Sequence, residues 1–162
     1  MIEIDGHNLT IQNVAAVARR AETVRLADSA RQKVEQSHAW VKSMVESGEP
    51  VYGINTGFGI FADRRISKQD AARLSRNLIL SHAVGTGPEL PAEVVRAAML
   101  IRANTLARGN SGVRPAIIDT LLAMLDQDVT PIIPSQGSLG SSGDLEPLSH
   151  LALVLTTDPD DR

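Results

Sequence analysis

The chain has 162 residues, 43% hydrophobic and 22% charged, with a net charge of -3 at pH 7. This composition belongs to a globular domain with its own core rather than to a disordered chain. The absence of cysteine excludes disulfides, thiolate zinc sites and a Cys nucleophile. Acids and bases are mixed along the chain, so no basic block calls for nucleic acid and no acidic tail for a solvating segment. Aromatic residues are only 2%, which leaves Leu, Val, Ile and Ala to build the core and favours helices over strands. Met1 to Asp5 lacks the basic and apolar regions of a secretory leader, and the apolar run Leu151 to Leu155 is too short to span a bilayer. The expectation is a soluble cytoplasmic protein with neither membrane nor nucleic acid as partner.

Taken in order, Thr10 can cap a helix whose inner face is Val14, Val17, Ala18, Ala21 and Val24. A second helix is predicted from about Asp28 to Glu46, with Val34, Trp40, Val41, Met44 and Val45 as its apolar set and Gly48 to end it. Glycines interrupt the helical pattern from Val51 to Asp63. Ser67 to Asp70 resembles a capping box with Asp in place of Glu. The helix it opens carries Leu74, Leu78 and Ile79 and ends near Ala83. Pro91 suits the first turn of the next helix, which runs through Val94, Ala98 and Ile101 to Leu106 and stops at Gly109. Another helix follows Pro115. Pro131 and Pro134 impose an irregular segment, Gln136 to Asp144 is a Gly/Ser loop, and a last apolar helix runs from about Glu146 to Leu155. Six helices and no convincing strand alternation make the fold mainly α.

Three segments stand out chemically. Tyr52-Gly53-Ile54-Asn55-Thr56-Gly57-Phe58-Gly59 holds the only tyrosine and three glycines. It reads as a tight turn with a packed Tyr or as a functional loop. A phosphate loop would need a preceding strand and a Gly-Lys-Ser/Thr that is absent. The segment Asn77 to Gly87 includes Ser81-His82 at the end of an apolar helix, where His is a packed residue, a partner for the helix terminus or a site residue. Gly137-Ser138-Leu139-Gly140-Ser141-Ser142-Gly143-Asp144-Leu145-Glu146-Pro147-Leu148-Ser149-His150 has the composition of a linker. It runs straight into an apolar helix, however, and Asp144 is placed to cap that helix. The four histidines, at 7, 38, 82 and 150, show no paired metal-ligand spacing, and no Gly-x-Ser-x-Gly elbow is present.

All three segments resemble one family, in the family's order and over nearly the whole chain. Tyr52 to Gly59 is similar to the tyrosine loop of the aromatic amino acid ammonia-lyases and aminomutases. Gly137 to His150 is similar to the segment from which those enzymes make their electrophile. Arg102 to Ala107 and Ser111 to Arg114 fit the same pattern. The resemblance is to the histidine ammonia-lyase type. It implies a mainly α fold, the N-terminal helical domain of the fumarase/aspartase-like superfamily, with residues 1–162 as the prosthetic-group-forming domain of a longer enzyme.

The resemblance also implies the chemistry. Ser141-Ser142-Gly143 would cyclise to 4-methylidene-imidazol-5-one, with no metal or nucleotide needed. The Gly143 amide nitrogen attacks the Ser141 carbonyl carbon, two waters leave, and Ser142 loses its hydroxyl to become an exocyclic methylene. Gly143 has no side chain to block the attack. Ser141 stands where the family usually has Ala; it contributes a carbonyl carbon, so a hydroxyl there is tolerated. Tyr52 matches the base that removes the substrate β-proton. An ordinary phenol loses its proton only near pH 10, so such a base needs neighbours that stabilise phenolate. Ser81 and His82, with Gly59, match the substrate-binding positions. The Ser-His pair points to L-histidine, converted to urocanate and ammonia; the alternative is a lyase or aminomutase of tyrosine or phenylalanine. A different class of reading is a non-catalytic subunit or interaction module derived from the fold, against which the presence of both Tyr52 and Ser142 argues. A homotetramer is expected, completed by the remaining C-terminal part of the enzyme, and the 162-residue chain alone is expected to be inactive.

Overall fold

The structure, a computed structural model, describes residues 1–20, 22–57, 66–140 and 143–156. Ala21, one of the expected inward residues of the first helix, lies outside them. The elements follow the order β1 (Ile2–Ile4), α1 (Ile11–Arg20), β2 (Val24–Leu26), α2 (Asp28–Ser47), α3 (Lys68–His82), β3 (Thr86–Glu89), α4 (Ala92–Leu106), α5 (Pro115–Asp126), β4 (Pro134–Gln136) and α6 (Leu145–Leu155). The fold is mainly α, as expected.

α1 ends at Arg20, so Val24, expected on its inner face, lies in β2 instead; the other helix boundaries have the local causes read from the residues. Thr10 Oγ1 accepts from the Asn13 amide at 3.2 Å and opens α1. Gly48, at φ +77°, closes α2 in the left-handed region. Ser67 caps α3 by accepting from the Asp70 amide at 3.1 Å. The return half of the box differs: the Asp70 carboxylate takes the Ser67 hydroxyl at 2.6 Å. Pro115 occupies the first turn of α5, where its missing amide hydrogen costs nothing.

Four short strands were not legible as alternation. β1 and β2 pair in parallel with α1 as their crossover, matching Ile2 with Val24 and Ile4 with Leu26. β3 and β4 pair antiparallel, Thr86 opposite Gln136 and Glu89 opposite Pro134, and the ladder continues with Leu90 N–H donating to Ile133 O at 2.8 Å. Strands of three or four residues are too short to display a period; they form because remote segments are brought side by side.

The core lies where α1, α2, α4 and α5 meet β1 and β2. Ile4, Val17, Ala30, Val34, Val95, Met99, Leu100, Ala103, Ile118, Leu121 and Leu125 are all nearly or wholly buried there. α6 joins it through Leu151. α3 packs on α6 instead; none of its described residues is fully buried. No described helix is long and apolar enough to cross a membrane.

One charge is embedded in this apolar region. Arg96 on α4 is 4% exposed. Its guanidinium donates to Val17 O at 3.2 Å, Leu125 O at 3.1 Å and Asp128 Oδ1 at 2.9 Å. It thereby ties the interiors of α1 and α5 to α4 and satisfies one carbonyl on each. Asp128 itself is exposed, with φ +57° just past the end of α5. Removing Arg96 takes the side-chain donor from two carbonyls, of which Leu125 O keeps the Asp128 amide at 3.4 Å, whereas neutralising Asp128 loses only an exposed partner. Arg96→Ala should therefore cost roughly 2–4 kcal/mol, and Asp128→Asn less than about 1 kcal/mol. Urea denaturation of the two variants checks the ordering; equal losses would show that the carbonyl contacts carry no weight.

Candidate active site

The tyrosine loop is built by the residue next to the turn rather than by Tyr52. Asn55 is 7% exposed, and its side chain works in both directions. Its Oδ1 accepts from the Val51 amide at 2.7 Å and its Nδ2 donates to Glu49 O at 2.7 Å. Val51 O receives the amides of Ile54 and Asn55 at 3.0 and 3.2 Å. The loop closes on itself, with Tyr52 on its outer side, 62% exposed. Asn55 O also accepts from the Ile66 amide at 2.9 Å, which ties the loop to the entry of α3. Gly59 lies outside the described residues.

A second turn faces this loop across a cavity. Gly112 is pinned to α2 from both sides of its peptide: its amide donates to Ser37 Oγ at 3.0 Å, and its carbonyl meets His38 Nδ1 at 3.0 Å. Asn110, Ser111 and Gly112 then share a cavity of about 370 Å³ with Gly53, Ile54, Trp40 and Val41. Ser111 and Gly112 thus face the tyrosine loop across this cavity, a relation that the spacing of the motifs does not display. Asn104 acts elsewhere, its Oδ1 receiving the Gly6 amide at 3.0 Å.

His82 is the last residue of α3. Its Nδ1 lies 2.8 Å from Leu78 O, and Ser81 Oγ donates to the same carbonyl at 2.8 Å. A carbonyl only accepts, so the ring proton sits on Nδ1 and Nε2 is the acceptor of the neutral ring. Ser81 Oγ is also 3.0 Å from His82 Nδ1. The pair therefore caps the helix terminus with its own side chains and orients the imidazole at the same time.

The third segment lies beside the end of α3. β3 leaves α3 after three residues and pairs with β4, whose last residue, Gln136, opens the Gly/Ser segment. At its other end, His150 Nε2 on α6 accepts from the Gly85 amide at 3.1 Å. Ser141 and Ser142 lie outside the described residues. Gly143 has φ +109°, and a Cβ there would meet nothing within 4 Å. Glycine is required by the backbone conformation rather than by local crowding. Asp144 stands at the N-cap of α6 without capping it. Its carboxylate receives the Ser138 hydroxyl instead, bracing the two ends of the segment against each other. The expectation of a side-chain cap at Asp144 is corrected in this way.

Glu146 and His150 belong to the same motif and meet each other on α6. Glu146 is 7% exposed, and its Oε1 lies 3.0 Å from His150 Nε2 one turn along α6. Their i, i+4 spacing was the available signal. Among the described residues no group of three or more His, Asp or Glu is arranged to hold a metal ion.

Two glycines distinguish support from freedom. Gly53 has φ +78° with open space around it, whereas Gly112 has φ +65° and a Cβ there would lie 2.2 Å from Val41 Cγ2. Gly53→Ala should cost about 1–2 kcal/mol of backbone strain. Gly112→Ala adds roughly 1–3 kcal/mol of overpacking against α2. Thermal melts of both variants test the order; a more damaging Gly53→Ala would show that the packing of Gly112 on α2 carries little weight.

Residues 9–161 match the family described as aromatic amino acid lyase. The chain is 53% identical over 155 residues to a histidine ammonia-lyase of Anaeromyxobacter sp. (strain K), covering 96% of this chain and 30% of that protein. Among solved structures it is similar to tyrosine aminomutase from Streptomyces globisporus, with TM-score 0.87 and 38% identity over 93% of this chain and 28% of that one. It is also similar to histidine ammonia-lyase from Trypanosoma cruzi, with TM-score 0.85 and 33% identity over 94% and 29% of the two chains. The chain spans about 30% of the length of the curated relatives it matches. A tyrosine loop, an oriented Ser-His pair and a Gly/Ser segment paired to its helix, on a fold shared with these enzymes, have one common explanation: the chain belongs to the aromatic amino acid lyase family.

Proposed function

We propose that this chain is the N-terminal, prosthetic-group-forming part of an ammonia-lyase that converts L-histidine to urocanate and ammonia. The observation that supports the reading is that the chain just beyond Ser81 and His82 lies against both ends of the motif from Gly137 to His150. Pairing of Thr86 with Gln136 and the bond from Gly85 to His150 bring the two together.

The residues fit the group that the family forms from such a triad. Ser142 has the β-hydroxyl that must leave, and Gly143 has the positive φ and open surroundings compatible with attack by its own amide nitrogen. When formed, 4-methylidene-imidazol-5-one supplies an electrophile for the substrate amine. The rest is the work of side chains. His82 presents Nε2 as an acceptor, suited to the N–H of a substrate imidazole. Ser81 holds that ring in place through the shared Leu78 carbonyl. Tyr52 removes the β-proton of the substrate in this reading. Gly59 contributes to the substrate pocket in this reading.

A homotetramer completed by the C-terminal part of the enzyme, in the cytoplasm, fits the surface. Val84, Ile132 and Leu139 are large apolar residues left 67%, 67% and 88% exposed in the single chain, which suits them to contact other segments or subunits. The 162-residue chain alone, lacking partners to position the amino acid, is proposed to be inactive.

Three variants of the full-length enzyme test the assignment. Ser142→Ala has no hydroxyl to eliminate; it should keep the two waters by intact mass and lose most urocanate formation. Wild-type turnover by that variant would sink the proposal. Tyr52→Phe should still lose the two waters while its rate falls by roughly 10²–10⁴; near-normal turnover would deny Tyr52 the role of base. His82→Leu should shift selectivity away from histidine relative to tyrosine, because a site built to bond a polar group rejects partners that leave it unpaired. Unchanged selectivity would make His82 a structural cap only.

A further inference from the structure

Glu146 is a buried carboxylate to which the proposed chemistry assigns no task. His150 Nε2 lies 3.0 Å from its Oε1 but already accepts the Gly85 amide, so among the described residues Oε1 finds no hydrogen-bond donor, an expensive arrangement in an interior. What the side chain does is fill space between two backbones. A Cβ on Gly85 would lie 1.8 Å from Glu146 Oε1, and a Cβ on Gly137 would lie 2.7 Å from Glu146 Cγ and Cδ. Gly137 has φ +148° and favours glycine by conformation as well. Gly85 does not have a positive φ, so its backbone would admit another residue. What crowds it is the Glu146 carboxyl, with His150 Nε2 at 3.1 Å behind.

The two backbones lead directly to the site. Gly85 is three residues beyond His82, and Gly137 is four residues before Ser141. His150 holds the other side of the contact by accepting the Gly85 amide and facing Glu146 Oε1. We infer that Glu146 and His150 form a positioning pair. Glu146 is a wedge that sets the separation between the end of the substrate-binding helix and the segment that carries the triad, and His150 clamps the helix side onto it. The inference rests on the proposed function, because it takes His82 as a substrate contact and the triad as the source of the electrophile.

The pair acts through His82, which would bind the imidazole equally in ground and transition states. Disturbing the wedge should therefore raise KM more than it lowers kcat. The test is a double-mutant cycle in the full-length enzyme, made of wild type, Gly85→Ala, Glu146→Ala and the double variant, with Glu146→Gln as the conservative control. Each is followed by KM and kcat for histidine, by intact mass and by thermal midpoint.

Gly85→Ala should raise KM roughly tenfold, and adding Glu146→Ala should return KM to the level of Glu146→Ala alone, a coupling typical of residues in contact. Glu146→Ala at native Gly85 should raise KM several-fold with the loss of two waters unchanged, whereas Glu146→Gln, which keeps the shape, should not. If Gly85→Ala does not fold, the comparison of Glu146→Ala with Glu146→Gln decides the matter. Equal KM values for wild type and Glu146→Ala, or a double variant no better than Gly85→Ala, would overturn the wedge. A wild type that forms no urocanate would instead overturn the proposed function and the kinetic role with it. The thermal midpoints of the same four proteins would then still report whether Gly85 and Glu146 collide.

Discussion

Thr86 and Gln136 stand opposite each other across a short antiparallel pair, although α4 and α5 lie between them in the chain. This pairing is the constraint on which the site depends. β3 departs from the end of α3, and β4 delivers the chain to the Gly/Ser segment, so one ladder fixes both ends of the region at once. The helices between them supply the mass that makes the ladder possible. Among the described residues α4 and α5 supply half of the buried hydrophobic core. A hydrogen-bonded pair of three or four residues is marginal by itself; here it is supported by the packed helices behind it.

Core and site divide the molecule physically. The core is aliphatic, and the buried cation found there among the described residues, Arg96, donates to two carbonyls and a carboxylate. The site elements lie outside it. The tyrosine loop is closed by the two-way side chain of Asn55, the Gly/Ser segment is braced by Asp144 on Ser138, and α3 rests on α6 rather than on the main core. Polar side chains bonded to nearby backbone therefore shape the loops, while apolar burial holds the scaffold.

Close approach of backbones is the recurring device. Gly112 lies against Val41, and Gly85 and Gly137 lie on either side of Glu146, each at a distance that a methyl group would violate. Gly53 and Gly143 have the opposite character, with open surroundings and a positive φ. The same residue type thus serves two ends, contact in the first set and conformation in the second. In the motif from Gly137 to His150 both uses occur within a few residues, which explains why a stretch with the composition of a linker is held in place.

The sequence by itself determined the helices, their caps and the family. Amphipathic spacing, Thr10, Gly48, Ser67 and Pro115 are local signals, and local signals are written in adjacent residues. The likeness of the Tyr52 and Gly137 segments to those of ammonia-lyases was legible for the same reason, since each is a contiguous motif. Only the tertiary structure decided the four short strands, because their partners lie far along the chain and their lengths are too small to show a period. It also decided that Asp144 binds Ser138 rather than capping α6, that Ser37 and His38 hold Gly112, and that Glu146 separates Gly85 from Gly137. Each of these is a contact between residues whose distance in space the linear order does not encode, and a side chain chooses its partner only when the packed helices have set what lies within reach.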